Sequence, residues 1–292
     1  MHQMRLLEPA EGVLAFYDGR VDGYRFADGA NWVDDGALSL GIASYAVVCD
    51  DQAMVYDTHV SVEHARYVRT SLEARGVRKF TVVLSHWHLD HVAGTAVFGE
   101  CEIIASRRTA ELLARFKGAI EAGTHEGPPA INPLLLPTTT FDGRRQLTIG
   151  KITLELIHTD IHSDDATLAW WPDRRLLLCG DTMEDTVTYV DEPESFPSHL
   201  ANLERLRDLA PEHILPNHGD PEVIAAGGYG PDLITATEQY IRALQRCRTD
   251  VGLRDASLRE LIGESLGAGA VTYFAPYEAV HRANVETLLA NA

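Results

Sequence analysis

At 292 residues the chain is long enough to bury a large core, and 45% hydrophobic with 23% charged residues is the balance of an ordinary globular protein. A formal net charge of −18 repels phosphate backbones and anionic lipid, which argues against nuclease chemistry unless a local basic groove forms. No run is apolar enough to span a bilayer, no export leader follows Met1, and the cysteines Cys49, Cys101, Cys179 and Cys247 show no zinc-knuckle or redox spacing, so a cytoplasmic protein with reduced thiols is expected.

Taken in order, residues 12–17, 43–49 and 53–57 read as strands, the last two joined by the turn Asp50-Asp51-Gln52. Between them, residues 22–38 are rich in Gly, Asp and aromatics (Tyr24, Phe26, Trp32) without a period, and are expected to form a covering loop. Ser61 caps a helix with Ala65, Val68 and Leu72 on one face, stopped by Gly76. His59 and His64 beside it are expected at the surface or in the cap. The apolar run 80–84 then completes a βαβ unit and reads as a buried strand.

Directly after that strand comes Ser85-His86-Trp87-His88-Leu89-Asp90-His91, four potential metal ligands within six residues. His86 and His88, two apart, reach one ion from an extended or tight-loop backbone; Asp90 and His91 lie past the turn and face a second position. The first position is nitrogen-rich and the second mixes nitrogen with oxygen, which suits zinc and, less strictly, iron or manganese.

A short helix at 94–99, a strand at 102–105 and a helix at 109–116 follow. Residues 117–138 then break pattern with Gly118, Gly123, Gly127, Pro128, Pro129, Pro133 and Pro137, as in a lid or substrate loop, with His125 a candidate substrate contact. Strands are expected at 139–141, 146–149 and 151–157, then a polar loop at 160–165 and strands at 166–171 and 176–181, the last ending on Asp181. Cys179 reads as core filler. His158 and His162 compete as ligands at the polar loop. Residues 182–197 are acidic and irregular (Glu184, Asp185, Asp191, Glu192, Glu194), with Tyr189 and Phe196 as pocket lining or packing anchors. Ser198 opens a helix with Leu200, Leu203, Leu206 and Leu209 on its apolar face, Pro211 closes it, and His218 follows the short strand 214–215. Beyond Gly230, helical patterns cover 233–247, 258–266 and 277–289. In the last, Tyr277, His281 and Asn284 share one face, either packed or reaching the pocket.

The string at 85–91, followed in order by His162, Asp181 and His218, resembles the metallo-β-lactamase superfamily over most of residues 40–220. The resemblance implies an α/β four-layer αββα sandwich, with a hydrolase core at 1–230 and a helical extension at 231–292 packed on the same domain. It favours His162 over His158. It further implies that His86, His88 and His162 hold one ion, that Asp90, His91 and His218 hold the other, and that Asp181 bridges them. Two zinc ions are expected, with iron or manganese as alternatives, and Asp90 doubles as a catalytic proton relay. The implied reaction is attack of metal-activated hydroxide on an ester, thioester, lactone or related carbonyl bond of a small molecule. A mononuclear-iron sulfur dioxygenase, a phosphodiesterase and a non-enzymatic ligand sensor are the alternatives. The expected partner is a small-molecule substrate rather than nucleic acid or membrane, and a homodimer is one option for the assembly.

Overall fold

The computed structural model describes residues 3–190 and 192–290, so Asp191 lies outside it. Among the described residues seven strands form the first sheet in chain order: β1 (Arg5–Ala10), β2 (Val13–Asp18), β3 (Ile42–Cys49), β4 (Gln52–Tyr56), β5 (Lys79–Val83), β6 (Glu102–Ser106) and β7 (Thr139–Phe141). Pairing is antiparallel from β1 to β4 and parallel from β4 to β7. Parallel neighbours need crossovers, and these are α1 (Val62–Ala74), the short α2 (Leu89–Val92) and α3 (Arg107–Glu121). The second sheet runs in the order β12-β11-β10-β9-β8, from β8 (Arg144–Ile149), β9 (Ile152–His158), β10 (Thr167–Trp171), β11 (Leu176–Gly180) and β12 (His213–Pro216).

Strand alternation explains the layering. Val13, Ala15 and Tyr17 enter the core shared with the second sheet, whereas Leu14 and Phe16 join Val68, Leu72 and Leu113 of α1 and α3. Because both faces of the first sheet are covered, its strands are apolar without a polar side. Against the second sheet pack α4 (Phe196–Asp208), α6 (Asp232–Cys247) and α10 (Tyr277–Ala290), whose Leu203, Tyr240 and Leu288 continue the same core. The short helices α5 (Pro221–Ala225), α7 (Val251–Arg254), α8 (Leu258–Leu261) and α9 (Gly263–Gly267) link these. The result is the αββα sandwich with a helical C-terminal region.

Several local expectations change. The edge strand β1 is unannounced in sequence, since an outer strand is only half-buried and carries no clear alternation. Residues 33–38 form a helical turn, because the Asn31 side chain accepts from Asp34 N at 2.8 Å while the Asp34 carboxylate accepts from Phe26 N and Ala27 N at 2.7 and 3.1 Å. Helix α3 runs through Gly118 to Glu121, where the Glu121 carboxylate pairs with Lys117 and accepts from Leu134 N. The pattern at 258–266 divides at Ile262 into α8 and α9, and α4 starts at Phe196 rather than after Ser198. His59 and His64 are buried, not superficial: their rings stack at 4.6 Å and His64 Nε2 meets Asp18 at 2.9 Å.

Candidate metal centre

The C-terminal ends of β5, β11 and β12 and the β9–β10 turn open onto one edge of the sandwich, where ligands of open α/β sheets sit. After β5, Ser85 N donates to Asp57 Oδ1 at 2.6 Å and the chain turns outward. His88 stands with extended backbone at the head of α2, so Asp90 and His91 fall in its first turn. Gly180 has φ +58° and a Cβ there would lie 3.0 Å from Ser85 Cβ, so only glycine lets β11 deliver Asp181 beneath the histidine string. His162 itself has φ 72°, an unfavourable backbone for an L-residue that the surrounding bonds hold in place.

Two groups of side chains converge. His88 Nδ1 lies 3.0 Å from His86 Nε2 and 3.1 Å from His162 Nε2. Beside them, His218 Nε2 is 3.2 Å from Asp90 Oδ2, and His91 Nε2 is 3.5 Å from Asp90 Oδ1. Asp181 Oδ2 is common to both: it sits 3.0 Å from His91 Nε2 and 3.4 Å from His218 Nε2, and 3.7 and 3.8 Å from the Nε2 atoms of His86 and His162. The seven residues named from sequence therefore stand together.

Their outer partners settle which nitrogen is free. His91 Nδ1 donates to Asp57 Oδ2 at 2.9 Å, His162 Nδ1 to the Tyr189 carbonyl at 2.9 Å, and His218 Nδ1 to the Gly41 carbonyl at 2.7 Å. Each arrangement, assigned from the bonding network, turns Nε2 inward toward the cluster. Gly41 is again conformationally required, with φ +77° and no room for a Cβ beside the Tyr17 hydroxyl. Asp181 Oδ1 is buried without a hydrogen-bond partner, and His91 Nε2, although 3.0 Å from Asp181 Oδ2, lacks hydrogen-bond geometry to it. Such atoms are costly unless something else satisfies them.

Electrostatics point the same way. Burial, followed by the charge of His162, pushes His88 down to about 3, and burial with His91 and His88 holds His86 well below the imidazole range. Both therefore offer lone pairs rather than protons. Burial opposes charge on His91 and His218, but the Asp181 carboxylate outweighs it and raises both well above the usual value. Burial opposes charge on Asp90 and Asp181 too, yet His91 foremost keeps them ionised. Imidazole nitrogens and carboxylates crowded in this way fit a transition-metal cation, which would take up the lone pairs and replace the protons.

Some relevant residues escape a reading of the motifs. Asp57 binds His91, Ser85 N and Asn217 Nδ2, the last at 2.7 Å. Its signal was its place, a carboxylate closing an apolar strand as Asp181 does. Glu184 and Asp185, in the segment read as acidic and irregular, are buried. Phe196 is a packing anchor at 1% exposure, while Tyr189 contributes its carbonyl. His158 is not in the cluster; its Nε2 meets the Asp164 carbonyl at 2.9 Å. Tyr277, His281 and Asn284 are all buried.

The loop at 122–138 flanks the site. Trp87 stacks on Phe116 at 5.0 Å and lies 5.1 Å from the His125 ring, and Trp32 Nε1 donates to the Pro129 carbonyl at 3.0 Å. The two irregular segments of the sequence thus clasp each other beside the histidine string.

The family model for the Metallo-beta-lactamase superfamily matches residues 39–218. Two relatives named beta-lactamase-like protein 2 homolog are similar to the chain. The one from Caenorhabditis elegans is 26% identical over 140 residues, covering 47% of this chain and 41% of its own length. That from Drosophila melanogaster is 26% identical over 145 residues, covering 48% and 44%. The chain thus spans less than half the length of these relatives. Among solved structures, VMB-1 at pH 5.5 aligns with a TM-score of 0.60 at 14% identity, over 84% of this chain and 99% of that one. The metallo-beta-lactamase from Pontibacter korlensis aligns with a TM-score of 0.56 at 18% identity, over 80% and 99%. At these identities the structural likeness speaks for the fold.

Proposed function

The chain belongs to the metallo-beta-lactamase superfamily, and from that premise we propose that it is a hydrolase of small carbonyl substrates working with two adjacent divalent ions, zinc in the first instance. The observation that carries this reading is Asp181 Oδ2, within 3.8 Å of nitrogens from both ligand groups. His86, His88 and His162 would hold one ion, Asp90, His91 and His218 the other, and Asp181 both. Ions bound there supply Lewis acidity and a water acidified to about pKa 7.

The chain's own groups do the rest. Asp57, Gly41 and Tyr189 aim the imidazoles, and the buried walls exclude bulk water. Asp90 is 19% exposed against 4% for Asp181, so it is the carboxylate within reach of a substrate and the better placed to relay a proton. Net charge of −18 supports a small molecule over a nucleic acid as substrate. Among the described residues no helix is long and apolar enough to cross a membrane, and the four free cysteines support a reducing, cytoplasmic setting.

The clasped loops form the substrate wall in this reading. Glu126, next to His125, is half exposed, and burial followed by the charge of Asp90 raises it to about 7. A rim carboxylate of this kind is worth about 1 kcal/mol. Assayed at about pH 8 or above, where the carboxylate is ionised, Glu126→Gln is therefore expected to change KM about two- to fivefold between cationic and anionic members of an ester series, with kcat for neutral esters unchanged. Equal effects on all members would remove Glu126 from the wall.

Metal analysis of the purified protein, combined with a hydrolysis screen of lactones, thioesters, β-lactams and phosphodiesters, tests the function. Two ions per chain and chelator-sensitive turnover of a carbonyl substrate are expected. One iron per chain with oxygen consumption, or metal-loaded protein that turns over no carbonyl substrate, would overturn the proposal.

A further inference from the structure

The Tyr189–Val190 peptide group has His162 at one end and the C-terminal helix at the other. Its carbonyl accepts from His162 Nδ1 at 2.9 Å, and its N–H, on Val190, donates to Asn284 Oδ1 at 2.9 Å. A peptide is a rigid plane, so fixing the direction of its N–H also fixes that of its C=O. Asn284 is itself held on both sides of its amide nitrogen, which donates to the Thr188 carbonyl at 3.1 Å and to the Tyr240 hydroxyl at 2.9 Å.

Two turns earlier on α10, Tyr277 donates to Glu184 Oε2 at 2.9 Å, and the other Glu184 oxygen accepts from Tyr189 N at 3.2 Å. Asn284, Tyr277 and Glu184 are at most 3% exposed, so water does not compete for these bonds. The loop that follows Asp181 is therefore tied to α10 at successive peptides, and the last tie passes directly to a histidine of the cluster.

We propose that Asn284 is a positioning residue for the metal centre, acting through the Tyr189–Val190 peptide to fix the tautomer and ring orientation of His162. The C-terminal helix is then a working part of the site, not only a cover for the second sheet. This rests on the reading of His162 as a metal ligand, made above.

Cobalt(II) titration of the metal-free full chain, followed by visible absorption and by competition with a chromophoric chelator, tests it without reference to turnover. Removing outer partners of ligating histidines typically weakens metal binding about 10–100-fold. Asn284→Leu, close in size but with no acceptor, leaves the direct partner, the Tyr189 carbonyl, in place but unanchored. It is therefore expected to weaken one cobalt equivalent toward the lower end of that range, about tenfold, and to shift its absorption band, leaving the other equivalent unchanged. Tyr277→Phe, which removes one hydroxyl from the same clamp, is expected to weaken the same equivalent several-fold, and it keeps the test open if Asn284→Leu does not fold. Leu288→Ala, a buried apolar change on the same helix, is expected to lower the melting temperature while preserving both equivalents and both bands. Wild-type affinity and spectrum in the Asn284 and Tyr277 variants, or an equal loss in Leu288→Ala, would overturn the inference alone. Wild-type protein that binds no cobalt would overturn the metal reading with it.

Discussion

Asp181→Ala is expected to strip metal from both halves of the cluster at once and to lower activity at least about 100-fold. Outer partners of metal ligands already cost about 10–100-fold when removed, and Asp181 stands closer in than any of them. Its Oδ2 lies within 3.8 Å of nitrogens of His86, His91, His162 and His218 together. Removing it takes a negative charge from the point where four imidazoles meet, so any cation there loses its shared neutralising partner. The effect on metal content should exceed that of any single histidine, since in the proposed assignment each histidine would hold one ion and Asp181 both. Elemental analysis before and after exposure to a weak chelator gives the readout. The control is His158→Ala, four residues before His162 in sequence yet bonded to the Asp164 carbonyl and absent from the cluster, which is expected to leave metal and activity intact. If Asp181→Ala keeps both ions, or if His158→Ala loses metal while His162→Ala does not, the assignment of the centre is wrong.

The histidine string and Asp181 were legible in sequence because each follows an apolar run at the end of a strand, whereas His162, beyond the half-buried β9, was picked out over His158 only by resemblance to the family. A strand such as Phe80-Thr81-Val82-Val83 announces where the sheet ends, and a histidine string immediately beyond it has nowhere to go but the open edge. What supports those side chains was not legible, because it depends on pairings between distant segments. Asp57 meets His91 across 34 positions, and Asn217 meets Asp57 across 160. The burial of the acidic stretch after Asp181 was hidden for a related reason. Glu184 and Asp185 look like solvated charges in a local window, but Tyr277, Tyr229 and Thr272 provide buried donors to them from the C-terminal part of the chain. The same holds for the loop at 22–38, whose helical turn comes from side-chain to backbone bonds of Asn31 and Asp34 rather than from any hydrophobic period.

Asp57→Ala is expected to destabilise the fold by about 3–5 kcal/mol whether or not metal is present. The carboxylate is fully buried and accepts three hydrogen bonds, from Ser85 N at 2.6 Å, His91 Nδ1 at 2.9 Å and Asn217 Nδ2 at 2.7 Å. Alanine takes the shared acceptor from all three donors in a buried site, where the Asn217 amide has a second partner close by, His91 Nδ1 at 3.3 Å. Each orphaned group costs about 1–3 kcal/mol, and breaking a buried charged pair costs about 3–5 kcal/mol, with partial relaxation keeping the total near that range. Asp57→Asn should recover little, because its amide NH2 would face one or more of the same donors. Urea unfolding of the chelated and the metal-loaded protein separates two contributions. Loss in the chelated form measures the orphaned donors together with the cost of placing alanine at the φ of 67° that Asp57 adopts. Any additional loss in the loaded form measures weaker metal binding, since a ligand that binds only the native state stabilises it according to its affinity. A variant as stable as wild type when chelated would mean that Asp57 serves the centre alone, and that the turn from β5 into the histidine string holds without it.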